Sequence, residues 1–131
     1  MSEQTVTTGE VVAAFLEACG VQVAFGVISI HNLPMLDALG RSAVIRFVPT
    51  RGEAGAVNMA DAYARTRGEL GVAFTSTGTG AGNAAGALVE AETAGTPLLH
   101  LTGQIDLPHL DRGRGYIHEA KAQLGMLRSI S

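Results

Sequence analysis

The side chains able to do chemistry fall in three short stretches. The first is Thr50-Arg51-Gly52-Glu53-Ala54-Gly55-Ala56, in which a carboxyl group opens a helical segment among small apolar neighbours. Poor solvation at such a place favours the protonated acid. A neutral carboxylic acid can donate a hydrogen bond to a heterocyclic nitrogen. Thr50-x-x-Glu53 also has the spacing of a capping box, in which Glu53 would only satisfy a backbone amide. The local pattern by itself favours that cap. The second stretch is Thr75-Ser76-Thr77-Gly78-Thr79-Gly80-Ala81-Gly82-Asn83, glycines set between an apolar run and a helical one. Backbone amides could meet a ligand there. Gly80-x-Gly82-x-x-Ala85 loosely matches a dinucleotide fingerprint, and Asp106 follows at roughly the 20-residue distance of a ribose-binding acid. The stretch follows the third apolar run, not the first, and glycines also serve tight turns, so the match reads as chance. The third stretch is Ser29-Ile30-His31-Asn32. His31 is either a proton donor or substrate ligand or a plain helix-entry residue. His118, beside Glu119, is a candidate for the same place. His100 reads as a satisfied buried residue and His109 as surface loop. No Cys/His spacing suggests a metal site. Cys19 stands alone, permits no internal disulfide, fits the cytosol and reads as a small apolar filler on a helix.

Alternating elements must position these stretches. Thr7 or Thr8 starts a helix over Val11–Cys19, Thr7 and Glu10 having capping-box spacing. Gly20 ends it. Val21–Phe25 is a first strand, followed by the loop Gly26–Asn32. Leu33–Leu39 is a helix with Pro34 in its first turn. Ala43–Val48 is a second strand, and Glu53–Arg65 a second strongly helical segment. Leu70–Phe74, a turn over Thr75–Gly82 and a helix over Asn83–Thr93 follow. Pro97–Thr102 is the fourth strand, then a polar loop, Gly103–Gly115, and a helix near Glu119–Arg128. Short apolar strands alternating with helices imply an α/β fold, a parallel sheet with helices on both faces. Ligands of such sheets bind beyond the carboxyl ends of the strands, where all three chemical stretches lie.

The 131 residues suit one domain with a real core. Apolar residues are 47% and charged residues 16% of the chain, a globular composition. A net charge of −3 and the lack of a Lys/Arg cluster argue against nucleic acid and anionic membrane as partners. No run is long enough to span a membrane, and the N-terminus lacks the pattern of a signal peptide. The abundance of Gly and Ala fits close helix packing or a broad subunit interface.

In order and in register, these stretches resemble the N-terminal, pyrimidine-binding domain of acetolactate synthase-type thiamine-diphosphate enzymes. Phe25-Gly26-Val27 through His31-Asn32-Leu33-Pro34 to Leu39 is similar to the family's first loop and helix. Gly52 to Arg65 resembles its glutamate helix, and Thr75 to Asn83 its Ser-Gly-x-Gly-x-x-Asn turn. Leu101-Thr102-Gly103-Gln104 resembles the end of its fourth strand, and Tyr116-Ile117-His118-Glu119 its Phe-Gln-Glu stretch. The resemblance overturns the capping assignment of Glu53. In the family the matching glutamate hydrogen-bonds N1′ of the cofactor's aminopyrimidine and favours the imino tautomer, whose nitrogen removes the thiazolium C2 proton. The resemblance thus implies Glu53 as the catalytic residue and thiamine diphosphate as cofactor. It implies Glu53, Val27, Thr77, Gly78, Gly80 and Asn83 as cofactor-binding and Ser29, Ile30, His31, Gln104 and His118 as the substrate pocket of a 2-keto acid carboligase or decarboxylase.

The chain departs from the family where Ile28-Ser29-Ile30 stands in place of Pro-Gly-Gly, where Thr77 and Thr79 replace Gly and Pro, and where His118 replaces Gln. The resemblance further implies a second domain with a Mg²⁺–diphosphate motif, and last strands of the pyrimidine domain, that these 131 residues do not include. The expectation is an incomplete domain, silent alone, that completes a shared site in a cytoplasmic homodimer or higher oligomer. The alanines and glycines following Glu53 and Asn83 would then face a partner. A Rossmann-like nucleotide binder built on Gly80 and Gly82, and an inactive assembly module, are the alternatives.

Overall fold

The computed structural model describes residues 5–131; Met1–Gln4, part of the terminus that lacks a signal-peptide pattern, lie outside the described residues. The chain runs α1 (Thr8–Ala18), β1 (Val23–Gly26), α2 (Leu33–Gly40), β2 (Arg46–Pro49), α3 (Glu53–Arg67), β3 (Gly71–Thr75), α4 (Thr79–Thr93), β4 (Leu98–Thr102), a single 3₁₀ turn at Leu107–His109, and α5 (Gln123–Arg128). The four strands form one parallel sheet in the order β2-β1-β3-β4. This is the α/β architecture the sequence implies.

Each element has a local cause. The capping box at α1 is present: Glu10 N–H donates to Thr7 Oγ1, and Thr7 N–H donates to the Glu10 carboxylate at 2.8 Å. Cys19 is not a packed apolar filler but the exposed C-cap residue of α1. The second strand begins at Arg46, not Ala43, because Ser42 Oγ accepts from Val44 N and Ile45 N and withholds those amides from the ladder. α3 ends on Gly68 at φ +67°, a left-handed cap suited to glycine.

Alternation along β1 and β3 sends side chains to two separate cores. On one face Ala24, Val72 and Phe74 meet Leu16 of α1 and Leu36 and Leu39 of α2. On the other, Phe25 and Ala73 meet Ala56, Val57 and Ala60 of α3 and Ala84, Ala87 and Leu88 of α4. Sequence reading assigned the small residues of α3 and α4 to a partner's surface. Ala56, Ala60, Ala64, Ala84, Ala87 and Ala91 are instead buried within the chain, where they let α3, α4 and the sheet approach one another. Gly55, Ala62 and Gly86 remain exposed. Arg65 bridges the two helices, reaching Asp61 at 2.7 Å and Glu90 at 3.8 Å. Among the described residues no helix is long and apolar enough to cross a membrane.

Candidate functional site

The order β2-β1-β3-β4 makes the gap between β1 and β3 a topological switch point. Connections leave it in opposite directions, and in open parallel sheets the ligand crevice lies beyond the carboxyl ends of the strands at such a point. Its walls are the loop after β1 and the turn after β3. Asn32, fully buried, ties them together. Its Oδ1 accepts from Ser29 N at 2.9 Å, and its Nδ2 donates to Val27 O at 2.9 Å and to Thr75 O at 3.2 Å. Val27 N continues the ladder to Phe74 O at 3.1 Å.

Glu53 stands at the rim of this crevice, as the first residue of α3. It is not the helix cap. Gly52 holds the N-cap position with extended backbone, and Thr50 Oγ1 donates to Gly52 O at 3.1 Å instead of accepting from the helix. The carboxylate is half-buried, more open than its small neighbours imply, and accepts from Asn83 Nδ2 at 3.3 Å. Gly80 explains how it comes close: a Cβ there would meet Ser76 Cβ at 2.6 Å and Glu53 Oε1 at 2.9 Å. Only glycine allows Glu53 to lie over the start of α4 beside Ser76.

A polar chain continues from Ser76. Its Oγ lies 2.7 Å from Ser29 Oγ and 3.2 Å from His118 Nδ1. The His118 ring is 5.1 Å from that of His31, centroid to centroid. His31 Nδ1 is buried with no hydrogen-bond partner. Burial pushes the His31 imidazole below its usual range, and the neighbouring His118 adds to that, while Asp106 opposes it. A neutral imidazole with an unspent nitrogen can take or give a proton or bind a polar group. Ile30, beside it, is exposed at the mouth.

The turn after β3 differs from its expected form. The helix begins at Thr79, four residues before Asn83, so Gly80 and Gly82 lie inside its first turn. Gly78 is the N-cap at φ +56°, and a Cβ on it would run into the His118 carbonyl. Its N–H donates to Gln123 Oε1 at 2.5 Å, Thr77 Oγ1 donates to the same oxygen at 2.6 Å, and Gln123 Nε2 donates to Gly103 O at 2.9 Å. Thr77 and Gly78, expected to face a cofactor, thus spend these groups on Gln123. Gly80 N and Gly82 N donate to Thr77 O and Gly78 O. With these amides paired and the Glu53 carboxylate at the same end, this helix start is poorly suited to a phosphate. That counts against the dinucleotide fingerprint.

The structure therefore gathers Ser29, His31, Glu53, Gly80, Asn83 and His118 around one crevice. Gln104 is exposed, and its side-chain oxygen accepts from Ile105 N at 2.8 Å. Asp106 holds the Tyr116 hydroxyl at 3.0 Å. His100 is satisfied, with Nε2 2.8 Å from Thr75 Oγ1, but it is half-buried on the edge strand β4 and not the buried residue expected of it. His109 is not free surface but stacks on Tyr116 at 4.0 Å. Sequence reasoning did not single out Ser76, Asn32 or Gln123. The first two lie within stretches it flagged; Gln123 has no local signal. Among the described residues no group of three His, Cys, Asp or Glu is placed to hold a metal ion.

Residues 6–126 match the family model described as thiamine pyrophosphate enzyme, N-terminal TPP binding domain. The chain is 37% identical over 129 residues to the probable 2-ketoarginine decarboxylase of Pseudomonas aeruginosa, covering 98% of this chain and 23% of that protein. It is 36% identical over 99 residues to the acetolactate synthase isozyme 1 large subunit of Escherichia coli, covering 76% and 18%. Among solved structures it resembles the thiamine diphosphate-dependent 4-hydroxybenzoylformate decarboxylase of Rhodococcus jostii RHA1, with a TM-score of 0.73 and 30% identity over 80% of this chain and 20% of that one. The chain thus spans about a fifth of the length of these relatives.

Proposed function

The chain belongs to the thiamine pyrophosphate enzyme family, as an N-terminal TPP binding domain, and from that premise we propose that it presents Glu53 to the aminopyrimidine of thiamine diphosphate in an enzyme acting on 2-keto acids. The observation that carries this reading is the meeting of Glu53, Ser76, Gly80 and Asn83 beyond the carboxyl ends of β1 and β3. The donors and acceptors suit the group. A carboxyl at the rim can share a proton with a ring nitrogen, Gly80 leaves the space beside it open, and the unpartnered His31 Nδ1 offers a polar contact deeper in. When bound, thiamine diphosphate supplies the nucleophilic carbon and the electron sink for chemistry beside a keto group.

The protein's own residues have three tasks. Glu53 holds a proton at the pyrimidine nitrogen, and Asn83 orients its carboxylate. Asn32 fixes the width of the crevice. Ser29, His31 and His118 line the substrate side, where two imidazoles suit delivery of a proton after decarboxylation better than the joining of two keto acids. Diphosphate and Mg²⁺ fall to a second domain, of this protein or of a partner, and a homo-oligomer would complete the site at the exposed rim.

The test is Glu53→Gln in the assembled enzyme. Exchange of the cofactor's C2 proton should slow by about 100-fold or more, with little change in thermal stability. Equal exchange rates in the two proteins would refute the role.

A further inference from the structure

We infer that Glu119 is the positioning residue for His118: its carboxylate, gripped by the backbone of the preceding loop, coils that loop so that His118 is held against Ser76. The inference rests on the reading of the crevice as a 2-keto acid site.

Between the 3₁₀ turn and α5 the chain has no regular structure, yet it is tightly wound. Asp111, Gly113, Gly115 and His118 have φ of +59°, +61°, +69° and +62°. A side chain in the left-handed region is strained and persists where its surroundings over-determine it. His118 is held from two sides. On one, its carbonyl packs onto Gly78, at the one place on the α4 cap where no side chain intervenes. On the other, both oxygens of Glu119 are committed: one accepts from Gly113 N at 2.8 Å and the other from Tyr116 N at 3.0 Å. Glu119 N in turn donates to Tyr116 O at 2.8 Å. Partial burial acts to raise the Glu119 carboxyl, but the amides of Tyr116, Gly113, Gly115 and Arg114 together bring it below its usual range.

The coil is also tied down at its edge. Tyr116 stacks on His109 and its hydroxyl reaches Asp106, just beyond β4. A carboxylate that binds amides three and six residues back, one on each oxygen, constrains the direction in which the residue before it must point. Here that residue is His118, with Nδ1 3.2 Å from Ser76 Oγ and its ring facing His31. The Glu119 carboxylate hydrogen-bonds only to Gly113 and Tyr116 among the described residues; it acts through His118.

The test uses NMR of the full 131-residue chain without cofactor, followed by kinetics of the assembled enzyme. Glu119→Ala should abolish the ring contact between His118 and His31 and move the His118 nitrogen shifts to those of a free histidine. His100, on β4, should stay unchanged and so report an intact fold. Glu119→Gln, which keeps one acceptor oxygen, should retain part of the contact. With a 2-keto acid substrate, Glu119→Ala and His118→Ala should each lower kcat/KM by about 10-fold or more, and the double variant should be no worse than His118→Ala alone. Freed Gly113 and Tyr116 amides with an undisturbed His118–His31 contact would overturn the inference, as would additive losses. If Glu119→Ala does not fold, Glu119→Gln decides by the same contact. Displacement of His118 together with unchanged C2 exchange in Glu53→Gln would leave this inference standing and remove the proposed function.

Discussion

The two helical layers on this sheet are built to different ends. The α1–α2 layer is filled with large side chains: Leu16, Leu36, Leu39, Ile45 and, from the sheet, Phe74. The α3–α4 layer is filled with Ala56, Ala60, Ala84 and Ala87 around a few larger residues. The first arrangement buries more apolar surface per residue and so contributes more to stability. The second brings two helices close together with their N-termini at the same end of the sheet. Those N-termini carry Glu53 and, one turn in, Asn83, which meet at 3.3 Å. Stability is concentrated in one layer and geometry in the other.

The largest effect should come from the first layer. Leu16 is fully buried, and Leu16→Ala should cost about 3 kcal/mol through lost transfer energy and the cavity left behind. Chemical denaturation measures it. The Asn83 side-chain amide signals should not move, because Leu16 packs on the sheet face opposite the one that holds Ala84 and Ala87 of α4. A smaller loss is expected from Ala84→Val. Ala84 is also fully buried, and two added methyl groups should overpack the layer for about 2 kcal/mol. This variant, unlike the first, should shift the Asn83 amide, because α4 must move away from α3. Equal perturbation of Asn83 by both substitutions would erase the distinction between the layers.

The layers differ in how legible they were. Strand order aside, every helix and strand could be read from apolar periodicity, and the Thr7–Glu10 cap from its spacing, because these are local properties. What escaped depends on residues far apart in sequence. The start of α4 moved from Asn83 to Thr79 because Gln123, 45 residues after Gly78, provides the acceptor for its N–H. The final helix shrank from Glu119–Arg128 to Gln123–Arg128 because the Glu119 carboxylate binds amides behind it and His118 turns left-handed. The alanines of α3 and α4 could equally have met a partner or each other, and composition cannot tell the two apart. Glu53 was visible as a carboxyl among small residues, but its freedom from capping depends on Thr50 bonding the Gly52 carbonyl, which spacing does not reveal.

The smallest effect, and the one that sharpens the contrast most, is with pH. The inner strands β1 and β3 carry one polar side chain, Thr75, and His100 of the edge strand β4 meets it. By alternation, Thr75 and His100 share the α3–α4 side with Ala73, and they bond to each other at 2.8 Å. Burial pushes the His100 imidazole below its usual 6.5, as it does that of His31 at the crevice. For each, the unfolded chain takes up a proton near pH 6.5 while the folded chain does not until the pH is lower. Between those points the unfolded state binds more protons, so stability falls as pH falls. The contribution is complete above about pH 6.5 and is lost on the acid side. Hydrogen exchange at pH 7 and pH 5 should therefore show β4 and the β1–α2 loop opening first, with α1 amides changing least. His100→Asn should shrink the loss of stability between the two pH values. An acid response of equal size in α1 and β4, or one unchanged by His100→Asn, would show that the protons act on the whole fold and not on the layer that holds the site.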